Sequence, residues 1–416
     1  MNTFETQCIK QMAIKIGMHN VIIINSCTIT NESERQVRQI IRKLTRENNN
    51  YTVILTGCAS QLHPDFFLKM PEVDFVVNNE IKLQTWVYEN INNWTSGERK
   101  LEDKIKLQQI LLKNNDQNNE WEYIYNFEDR SRAFVPIQTG CNHYCSFCIV
   151  PFTRGKFKSF DPRHIIEQIK IFVENGYNEI VLTGIDITDY GKDVRGQQDI
   201  DTLGKLCRTI IQQTDLPRLR LSSVDVAEID DDIIDLIKNE PRFMPYFHIS
   251  LQSGSNAVLR RMRRRHTYED VIDFCTKVIA SRPEIAFGAD IITGFPGETE
   301  EEFSQSIKIV KNAPITFIHA FPYSKREKTL ASLMEDNVPK KVKKERVNIL
   351  IKLGEENLNK MHQKMNATYQ NLLIERNNIA RAENFIIVNI DNSLSNKFGQ
   401  TIQAKVVLKN NKLLAE

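Results

Sequence analysis

The chain has 416 residues, 41% of them hydrophobic and 26% charged, and a formal net charge of +2. This length accommodates two or three domains with real cores, and the composition excludes disordered, collagenous and membrane-spanning classes. The polar start MNTFETQCIK does not resemble a secretory signal peptide. The longest apolar runs, at 21–24 and 385–388, are too short to cross a bilayer. We therefore expect a cytoplasmic globular protein.

The first ninety residues alternate strand-like and helix-like patterns. VIIIN (21–25) and YTVILTG (51–57) are typical of buried parallel strands, and the segment at 33–48 between them has apolar positions at helical spacing. This β-α-β pattern predicts a small doubly wound, Rossmann-like α/β domain over residues 1–92. Each strand leads directly into a cysteine, Cys27 or Cys58, and the carboxyl ends of parallel strands are where such sheets place ligands.

A second β/α series follows a polar linker at 93–130, which includes the run NNDQNNE. It predicts a partial parallel β/α barrel over 131–365, whose active site would lie at the carboxyl ends of the strands. The segment CNHYCSFC (141–148) directly follows the first of these strands. The predicted strands are AFVPIQTG (133–140), NEIVLTG (178–184), RLRLSSV (218–224), YFHISLQ (246–252), AFGADIITG (286–294) and ITFIHAFPY (315–323), and the helices between them include 163–176 and 268–281.

A long basic helix at 339–365 leads out of the predicted barrel. The remaining residues, 366–416, contain short alternating segments such as TIQAKVVL, separated by turns with Asn and Gly. This pattern predicts a small C-terminal β-barrel, an architecture that often binds nucleic acids.

Eight cysteines in a cytoplasmic chain indicate metal binding or catalysis more than a disulfide framework. Cys207 and Cys275 lie in apolar helical patterns and are expected to be buried thiols. Cys141, Cys145 and Cys148 have the spacing C-x3-C-x2-C. A structural zinc site needs four ligands, a redox pair leaves Cys141 unexplained, and an ordinary ferredoxin cluster needs a fourth cysteine nearby.

A [4Fe–4S] cluster held by only three thiolates would account for the missing fourth ligand. Its open iron can be chelated by the amino and carboxylate groups of S-adenosylmethionine (SAM), and an electron from the cluster then cleaves the sulfonium to give a 5′-deoxyadenosyl radical. Tyr144 and Phe147, between the cysteines, would shield such a centre from water. We favour this interpretation over zinc.

CNHYCSFCIVPFTRG (141–155) resembles the cluster loop of the radical SAM methylthiotransferase family. The resemblance extends over nearly the whole chain and includes INSC, LTGC and a C-terminal barrel similar to a TRAM domain. It implies a second, auxiliary [4Fe–4S] cluster in the N-terminal domain, with Cys27 and Cys58 among its ligands. It also implies SAM as methyl donor and radical source, and an electron donor such as flavodoxin or ferredoxin.

Three further segments resemble the branch of this family that acts on N6-threonylcarbamoyladenosine in tRNA. The resemblance implies conversion of N6-threonylcarbamoyladenosine at adenosine 37, next to the anticodon, to its 2-methylthio derivative. Alternatives within the family are methylthiolation of isopentenyladenosine or of a ribosomal-protein side chain. A tRNA-binding remnant without sulfur insertion is a further alternative. The segments are 218–234, 247–262 and 317–329.

The first auxiliary-cluster ligand of the family has no direct counterpart in this chain. In the family it lies in a Gly-Cys-x-x-Asn element, and MNTFETQ matches the residues that follow that cysteine. A start upstream of Met1, a substitution by Cys8, or loss of the cluster would each explain the pattern, and a chain without the cluster should cleave SAM without inserting sulfur. Cys8 falls on a predicted helix, which makes it a weak candidate.

Several polar positions near predicted strand ends are candidates for binding SAM. Gly184 would let the SAM amino group approach the backbone. Asp186 would contact the ribose or the amine, and Arg154 would hold the SAM carboxylate or a phosphate. Ordinary packing within the barrel remains the alternative for each position. The other candidates are Ser223, Gln252 and Asp290.

Two basic segments, 260–266 and 340–346, are candidates for contacts with tRNA phosphates, because neutralising a polyanion releases counterions. The alternative is a solvated helix face. The candidate residues are Arg260, Arg261, Arg263, Arg264, Lys340, Lys341, Lys343 and Lys344.

Overall fold

The structure is a computed structural model that describes residues 1–48, 50–97, 100–113, 121–194, 196 and 199–416. Parts of the predicted linker, including NNDQNNE at 114–120, lie outside the described residues. The chain forms two compact units. The first unit comprises Met1–Ile124, Gly140–Phe157 and Ser324–Ser332, and the second comprises Tyr125–Thr139, Lys158–Tyr323 and Leu333–Glu416.

A three-stranded parallel sheet in the order β1-β2-β3 organises the first unit. The two predicted strands are confirmed, and β2 is buried along its whole length. Helix α2 begins where the Thr30 hydroxyl accepts a hydrogen bond from the backbone N–H of Ser33, which satisfies one of the unpaired donors of its first turn. The elements are α1 (Asn2–Lys15), β1 (Val21–Ser26), α2 (Asn31–Glu47), β2 (Thr52–Gly57), α3 (Cys58–Leu62), α4 (Pro64–Leu68), β3 (Phe75–Val76), α5 (Thr85–Ser96), α6 (Leu101–Lys113) and, from the cysteine loop, α7 (Val150–Arg154).

Parallel strands alternate with helices in the second unit. They form a three-stranded sheet in the order β4-β7-β8 and a four-stranded sheet in the order β12-β11-β10-β9, and β5 pairs with β6. This arrangement confirms the predicted partial β/α barrel. The strands are β4 (Ala133–Pro136), β5 (Gln138–Thr139), β6 (Lys158–Ser159), β7 (Glu179–Thr183), β8 (Arg218–Leu221), β9 (Ser223–Val224), β10 (Tyr246–Gln252), β11 (Ala286–Thr293) and β12 (Ile315–Pro322).

The helices of the second unit cover the parallel strands, and several begin with a side-chain cap. Two of them begin with reciprocal capping boxes, at Thr267 with Asp270 and at Thr299 with Glu302. The helices are α8 (Pro162–Glu174), α9 (Leu203–Gln213), α10 (Asp231–Asn239), α11 (Asn256–Met262), α12 (Tyr268–Ser281), α13 (Glu300–Asn312) and α14 (Lys340–Met365). In the described part of the chain, no helix is both long and apolar enough to span a membrane.

The last residues close into a five-stranded barrel in the order β13-β14-β15-β17-β16, which confirms the predicted C-terminal β-barrel. Its buried apolar residues join those of the parallel barrel in one core that includes Tyr246, Ala286 and Leu372. Beside this core, the Arg220 guanidinium lies 4.9 Å from the centre of the Phe385 ring and donates to Glu179 at 2.9 Å. The strands are β13 (Thr368–Ile374), β14 (Ile379–Ala382), β15 (Ile387–Asn389), β16 (Thr401–Lys409) and β17 (Lys412–Ala415).

Candidate functional site

Cys27 and Cys58 lie at the same edge of the N-terminal sheet. Strands β1 and β2 run parallel, and Ser26 pairs with Gly57 at their carboxyl ends. Cys27 directly follows Ser26, and Cys58 directly follows Gly57. Because neighbouring strands are about 4.8 Å apart, the backbones of the two cysteines lie side by side where they leave this edge. Gly57 makes the approach possible, since a Cβ there would lie 2.3 Å from the Ser26 carbonyl oxygen.

Two buried cations surround the Cys58 thiol. Arg154 is close enough to donate a hydrogen bond to it, and the Lys82 ammonium is close enough for their charges to interact. Glu5 lies between the two cations, 2.6 Å from Arg154 Nη1 and 2.7 Å from Lys82 Nζ. Burial alone would raise the pKa of Glu5, but Lys82 and Arg154 hold it well below its usual range. The three side chains carry a net charge of +1 beside the sulfur atom of Cys58.

Cys141, Cys145 and Cys148 lie on one loop of the first unit. The backbone N–H of Cys148 donates to the Cys145 carbonyl at 2.9 Å, and that of Cys141 donates to the Gly155 carbonyl at 3.2 Å. Tyr144 has a φ of +47°, which reverses the chain between the first two cysteines. Gly140 also has positive φ, and a Cβ there would lie 1.9 Å from the Lys156 carbonyl oxygen. The loop therefore depends on backbone conformations that few other residues tolerate.

The cysteines in both places fit an iron–sulfur cluster. None of the five forms a disulfide, and four of them are partly exposed, whereas Cys58 is buried. Thiolates are the protein ligands that such clusters require. The loop would hold one cluster through three thiolates, and the sheet edge would contribute Cys27 and Cys58 to another. When bound, a [4Fe–4S] cluster with SAM supplies one-electron cleavage of the sulfonium.

The structure places the remaining cysteines in the core. Cys8 lies on α1, as predicted, and its thiol donates a weak hydrogen bond to the Glu122 carbonyl at 3.9 Å. Burial raises the pKa of Cys8 far above its usual range, which disfavours the thiolate that would bind iron. Cys207 and Cys275 are buried on α9 and α12, as expected.

The candidate SAM residues on the first barrel strands make contacts within the second unit. A Cβ at Gly184 would lie 2.8 Å from the Ile187 side chain and 3.0 Å from the Gln138 carbonyl oxygen. The Gln138 side chain accepts hydrogen bonds from the backbone N–H groups of residues 185 and 186. Asp186 accepts a hydrogen bond from Thr188 at 2.9 Å. These contacts give Gly184 and Asp186 structural roles whether or not they bind SAM.

The other barrel candidates differ in their surroundings. Ser223 is exposed on β9, and Gln252 ends β10 with a φ of +62° beside a shift in strand register. Asp290 lies in the middle of β11 and not at its end. It is paired with two histidines, His248 and His319, which the sequence analysis did not single out.

The basic candidates divide into paired and exposed residues. Arg261 forms an ion pair with Glu302 at 2.7 Å, and buried Lys343 forms one with Asp336 at 2.6 Å. Arg264 pairs with Asp225 at 2.8 Å. A phosphate would have to compete with these carboxylates. The exposed candidates are Arg260, Arg263, Lys340, Lys341 and Lys344, and among these Lys341 forms a long surface ion pair with Glu345 at 3.9 Å.

A second buried ionic cluster of the first unit also escaped sequence reasoning. Arg326 donates to Thr28 and Glu34, and to the Asn31 side chain. Thr28 follows Cys27 directly, so this cluster anchors the segment that carries the cysteine. Arg326 lies almost 300 residues away along the chain, which leaves no local signal for the contact.

Two family models match the chain. The Radical SAM superfamily matches residues 135–310, and the uncharacterized protein family UPF0004 matches residues 1–78. The first match contains the cysteine loop, and the second contains Cys27 and Cys58.

Curated relatives match nearly end to end. The threonylcarbamoyladenosine tRNA methylthiotransferase MtaB of Rickettsia prowazekii is 40% identical, over 98% of this chain and 92% of its own length. The chain belongs to the radical SAM methylthiotransferase family. The MtaB protein of Aquifex aeolicus is 35% identical over 93% of both chains. The tRNA-2-methylthio-N(6)-dimethylallyladenosine synthase of Clostridium novyi is 31% identical over 86% of this chain and 77% of its own.

Solved structures agree on the fold. The radical SAM methyltransferase TsrM of Kitasatospora setae, with cobalamin and a [4Fe–4S] cluster bound, has a TM-score of 0.52 at 12% identity, over 76% of this chain and 66% of its own. Membership of the family makes this radical SAM methylthiotransferase an enzyme that uses SAM and [4Fe–4S] clusters.

Proposed function

We propose that this methylthiotransferase acts on tRNA and converts N6-threonylcarbamoyladenosine at position 37 to its 2-methylthio derivative. The observation that carries the proposal is the near end-to-end similarity to relatives named for this substrate, at 40% and 35% identity. A relative named for dimethylallyladenosine is less similar and less completely covered, at 31% identity.

Within this proposal, the two groups of cysteines have separate tasks. Cys141, Cys145 and Cys148 hold the cluster that binds SAM, and Cys27 and Cys58 are ligands of the auxiliary cluster. Arg154 and Lys82 offset the negative charge that gathers on Cys58 and its cluster, because a buried anion is stable only near compensating charge. A protein of the flavodoxin or ferredoxin class supplies the electron.

The tRNA would be bound by exposed basic residues and the C-terminal barrel. Arg260 and Arg263 lie at the end of α11, and Lys340, Lys341 and Lys344 lie at the start of α14. Long cations of this kind neutralise phosphates without reading the base sequence. The paired residues Arg261, Arg264 and Lys343 would orient these segments.

The test is a methylthiolation assay on defined RNA. The anaerobically reconstituted protein is incubated with SAM, a reductant and anticodon stem-loops that carry either threonylcarbamoyladenosine or isopentenyladenosine, and the nucleosides are measured by mass spectrometry. We expect a mass gain of one methylthio group on the first substrate and little on the second. Modification of the isopentenyl substrate alone, or RNA binding without product from a fully reconstituted protein, would overturn the proposal.

A further inference from the structure

The strands of the second unit carry a polar layer directly above an aromatic floor. Tyr246 and His248 are two residues apart on β10, and Phe317 and His319 are two apart on β12. Residues at this spacing point to the same face of a strand. The Tyr246 ring stacks on Phe385 at 4.7 Å and lies 5.8 Å from the Phe317 ring. The floor is therefore formed by Tyr246, Phe317 and Phe385, and the two histidines belong to the next layer.

Asp290 connects the two histidines of this layer. Its Oδ1 atom lies 3.2 Å from His248 Nε2 and 3.4 Å from His319 Nδ1. Gly288, on the same strand, provides the necessary space, because a Cβ there would lie 2.5 Å from His248 Nδ1 and 2.4 Å from the Tyr246 hydroxyl oxygen. We refer to His248, Asp290 and His319 as the polar layer.

The two histidines have different tasks within the polar layer. His248 is buried and has partners on both ring nitrogens, Asp290 at Nε2 and the Tyr246 hydroxyl at Nδ1, 3.2 Å away. His319 has a side chain that is 65% exposed, and Asp290 at Nδ1 is its only hydrogen-bond partner among the described residues. Asp290 thus contacts one nitrogen of the exposed ring, and the other nitrogen, Nε2, is left for a ligand.

The charge of Asp290 favours a protonated, hydrogen-bond-donating Nε2 atom on His319. Burial alone would raise the pKa of Asp290, but hydrogen bonds from His248 and His319 lower it to about 2. The hydrogen bond to Asp290 in turn raises the pKa of His319. A carboxylate that accepts from Nδ1–H fixes the tautomer and orientation of an imidazole and stabilises its protonated form. The exposed Nε2–H is then a donor that suits an anion.

Threonylcarbamoyladenosine and isopentenyladenosine differ in whether they carry an anionic group that such a donor could bind. The threonylcarbamoyl group ends in a carboxylate, whereas the isopentenyl group is apolar and has neither charge nor hydrogen-bonding atoms. We propose that His319, oriented by Asp290, binds the carboxylate of the threonylcarbamoyl group and so selects the substrate of this enzyme. This inference rests on the proposed function and names the residue that would determine its specificity.

The size of the expected effect follows from the chemistry of the contact. A hydrogen bond to a charged group typically contributes enough to change an equilibrium or rate by about 10- to 150-fold. A site that hydrogen-bonds a polar group of the substrate also discriminates against an analogue that lacks this group, because the contact is then lost. Most of the selectivity for a carboxylate should therefore be lost when the imidazole is removed.

The test compares substrates with and without the negative charge. Wild-type enzyme and the variants His319→Phe, His319→Gln and His319→Asn are assayed on a stem-loop with threonylcarbamoyladenosine and on one with its carboxylate converted to the methyl ester. The ratio of the two kcat/KM values is the readout, together with the ratio of the two Kd values from fluorescence anisotropy. We expect the ratio to fall about 10- to 150-fold in His319→Phe and His319→Asn. His319→Gln should retain part of it, because its amide N–H extends to about the position of Nε2.

The outcomes separate this inference from the proposed function. Should wild-type enzyme leave threonylcarbamoyladenosine unmodified, both fail. If wild-type enzyme modifies threonylcarbamoyladenosine but His319→Phe has the same ratio of kcat/KM for the acid and the methyl ester, the function stands and the role of His319 is wrong. An equal fall on both substrates, or stoichiometric zinc that is lost in His319→Phe, would also overturn the inference and indicate a structural or metal-binding role.

Discussion

The two groups of cysteines in the first unit are built in opposite ways. Cys141, Cys145 and Cys148 lie within eight consecutive residues, and the loop that carries them is shaped by its own backbone, with positive φ at Gly140 and Tyr144. Cys27 and Cys58 are 31 positions apart in the chain and meet because two parallel strands end in register. The first group is a local motif, and the second exists only when the sheet has folded.

The two groups also differ in how charge is arranged around them. Cys58 lies beside Arg154 and Lys82, which are held by Glu5 from another element, so its environment depends on three distant segments. The loop cysteines are half-buried. The backbone N–H groups of Cys141 and Cys148 donate to carbonyls within the same segment, 141–155. A local motif can be recognised by spacing alone, whereas a site assembled by the fold can be damaged from positions far outside it.

The largest expected effect comes from the local motif. Cys145→Ala removes one of the three thiolates that the loop would contribute, and this loss should prevent the loop from holding its cluster. We expect about four fewer iron atoms per chain, no 5′-deoxyadenosine and no methylthiolated product. Iron analysis and chromatography of the SAM products check this. The matched control is Cys207→Ala, a buried thiol of the second unit, and an equal loss of iron in this control would contradict a ligand role for Cys145.

The sheet-edge cysteines should separate the two half-reactions. Cys58→Ala is expected to abolish methylthiolated product while 5′-deoxyadenosine still forms from SAM, because Cys141, Cys145 and Cys148 are intact. Product and 5′-deoxyadenosine are measured in the same reaction, with Cys275→Ala as the control for loss of a buried thiol. Loss of both products from a folded Cys58→Ala protein would show that the two groups do not act separately.

The elements that sequence reasoning predicted well have strong local signals. The alternating pattern of YFHISLQ gives β10 the bounds predicted, 246–252, and the capping box at Thr267 and Asp270 marks the start of the helix at 268–281. The closed C-terminal barrel was likewise predictable, since its short strands are separated by residues that favour turns.

The contacts that sequence reasoning missed are those that require the fold. Lys82 is an ordinary lysine in the sequence, and its partner Glu5 is 77 residues away. Asp290 was expected to bind SAM at a strand end, but lies in the middle of β11 between two histidines. A signal did exist for this pair, because YFH on β10 and FIH on β12 both place an aromatic residue two positions before a histidine. It becomes informative only when the pairing of the strands is known.

The smallest expected effect concerns stability and tests whether the surroundings of Cys58 are assembled by the fold. Glu5→Gln leaves Lys82 and Arg154 buried without their shared anion, and removing one partner from a buried ion pair costs about 3–5 kcal/mol. All three tryptophans of the chain, Trp86, Trp94 and Trp121, belong to the first unit, so their fluorescence reports its unfolding in urea. We expect a clearly lower unfolding midpoint.

The matched control is Glu32→Gln, the same substitution at an exposed carboxylate that pairs with Arg35 one helical turn away. Surface pairs of this kind contribute little, so no measurable shift is expected. The pKa of Glu5 is depressed in the folded chain, so its contribution is present above its ordinary value of 4.5 and lost as the pH falls below it. The deficit of Glu5→Gln should therefore shrink in acid. Equal unfolding midpoints for the two variants at neutral pH would mean that Lys82 and Arg154 do not need Glu5 to remain buried beside Cys58. The surroundings of Cys58 would then depend less on distant residues than the geometry indicates.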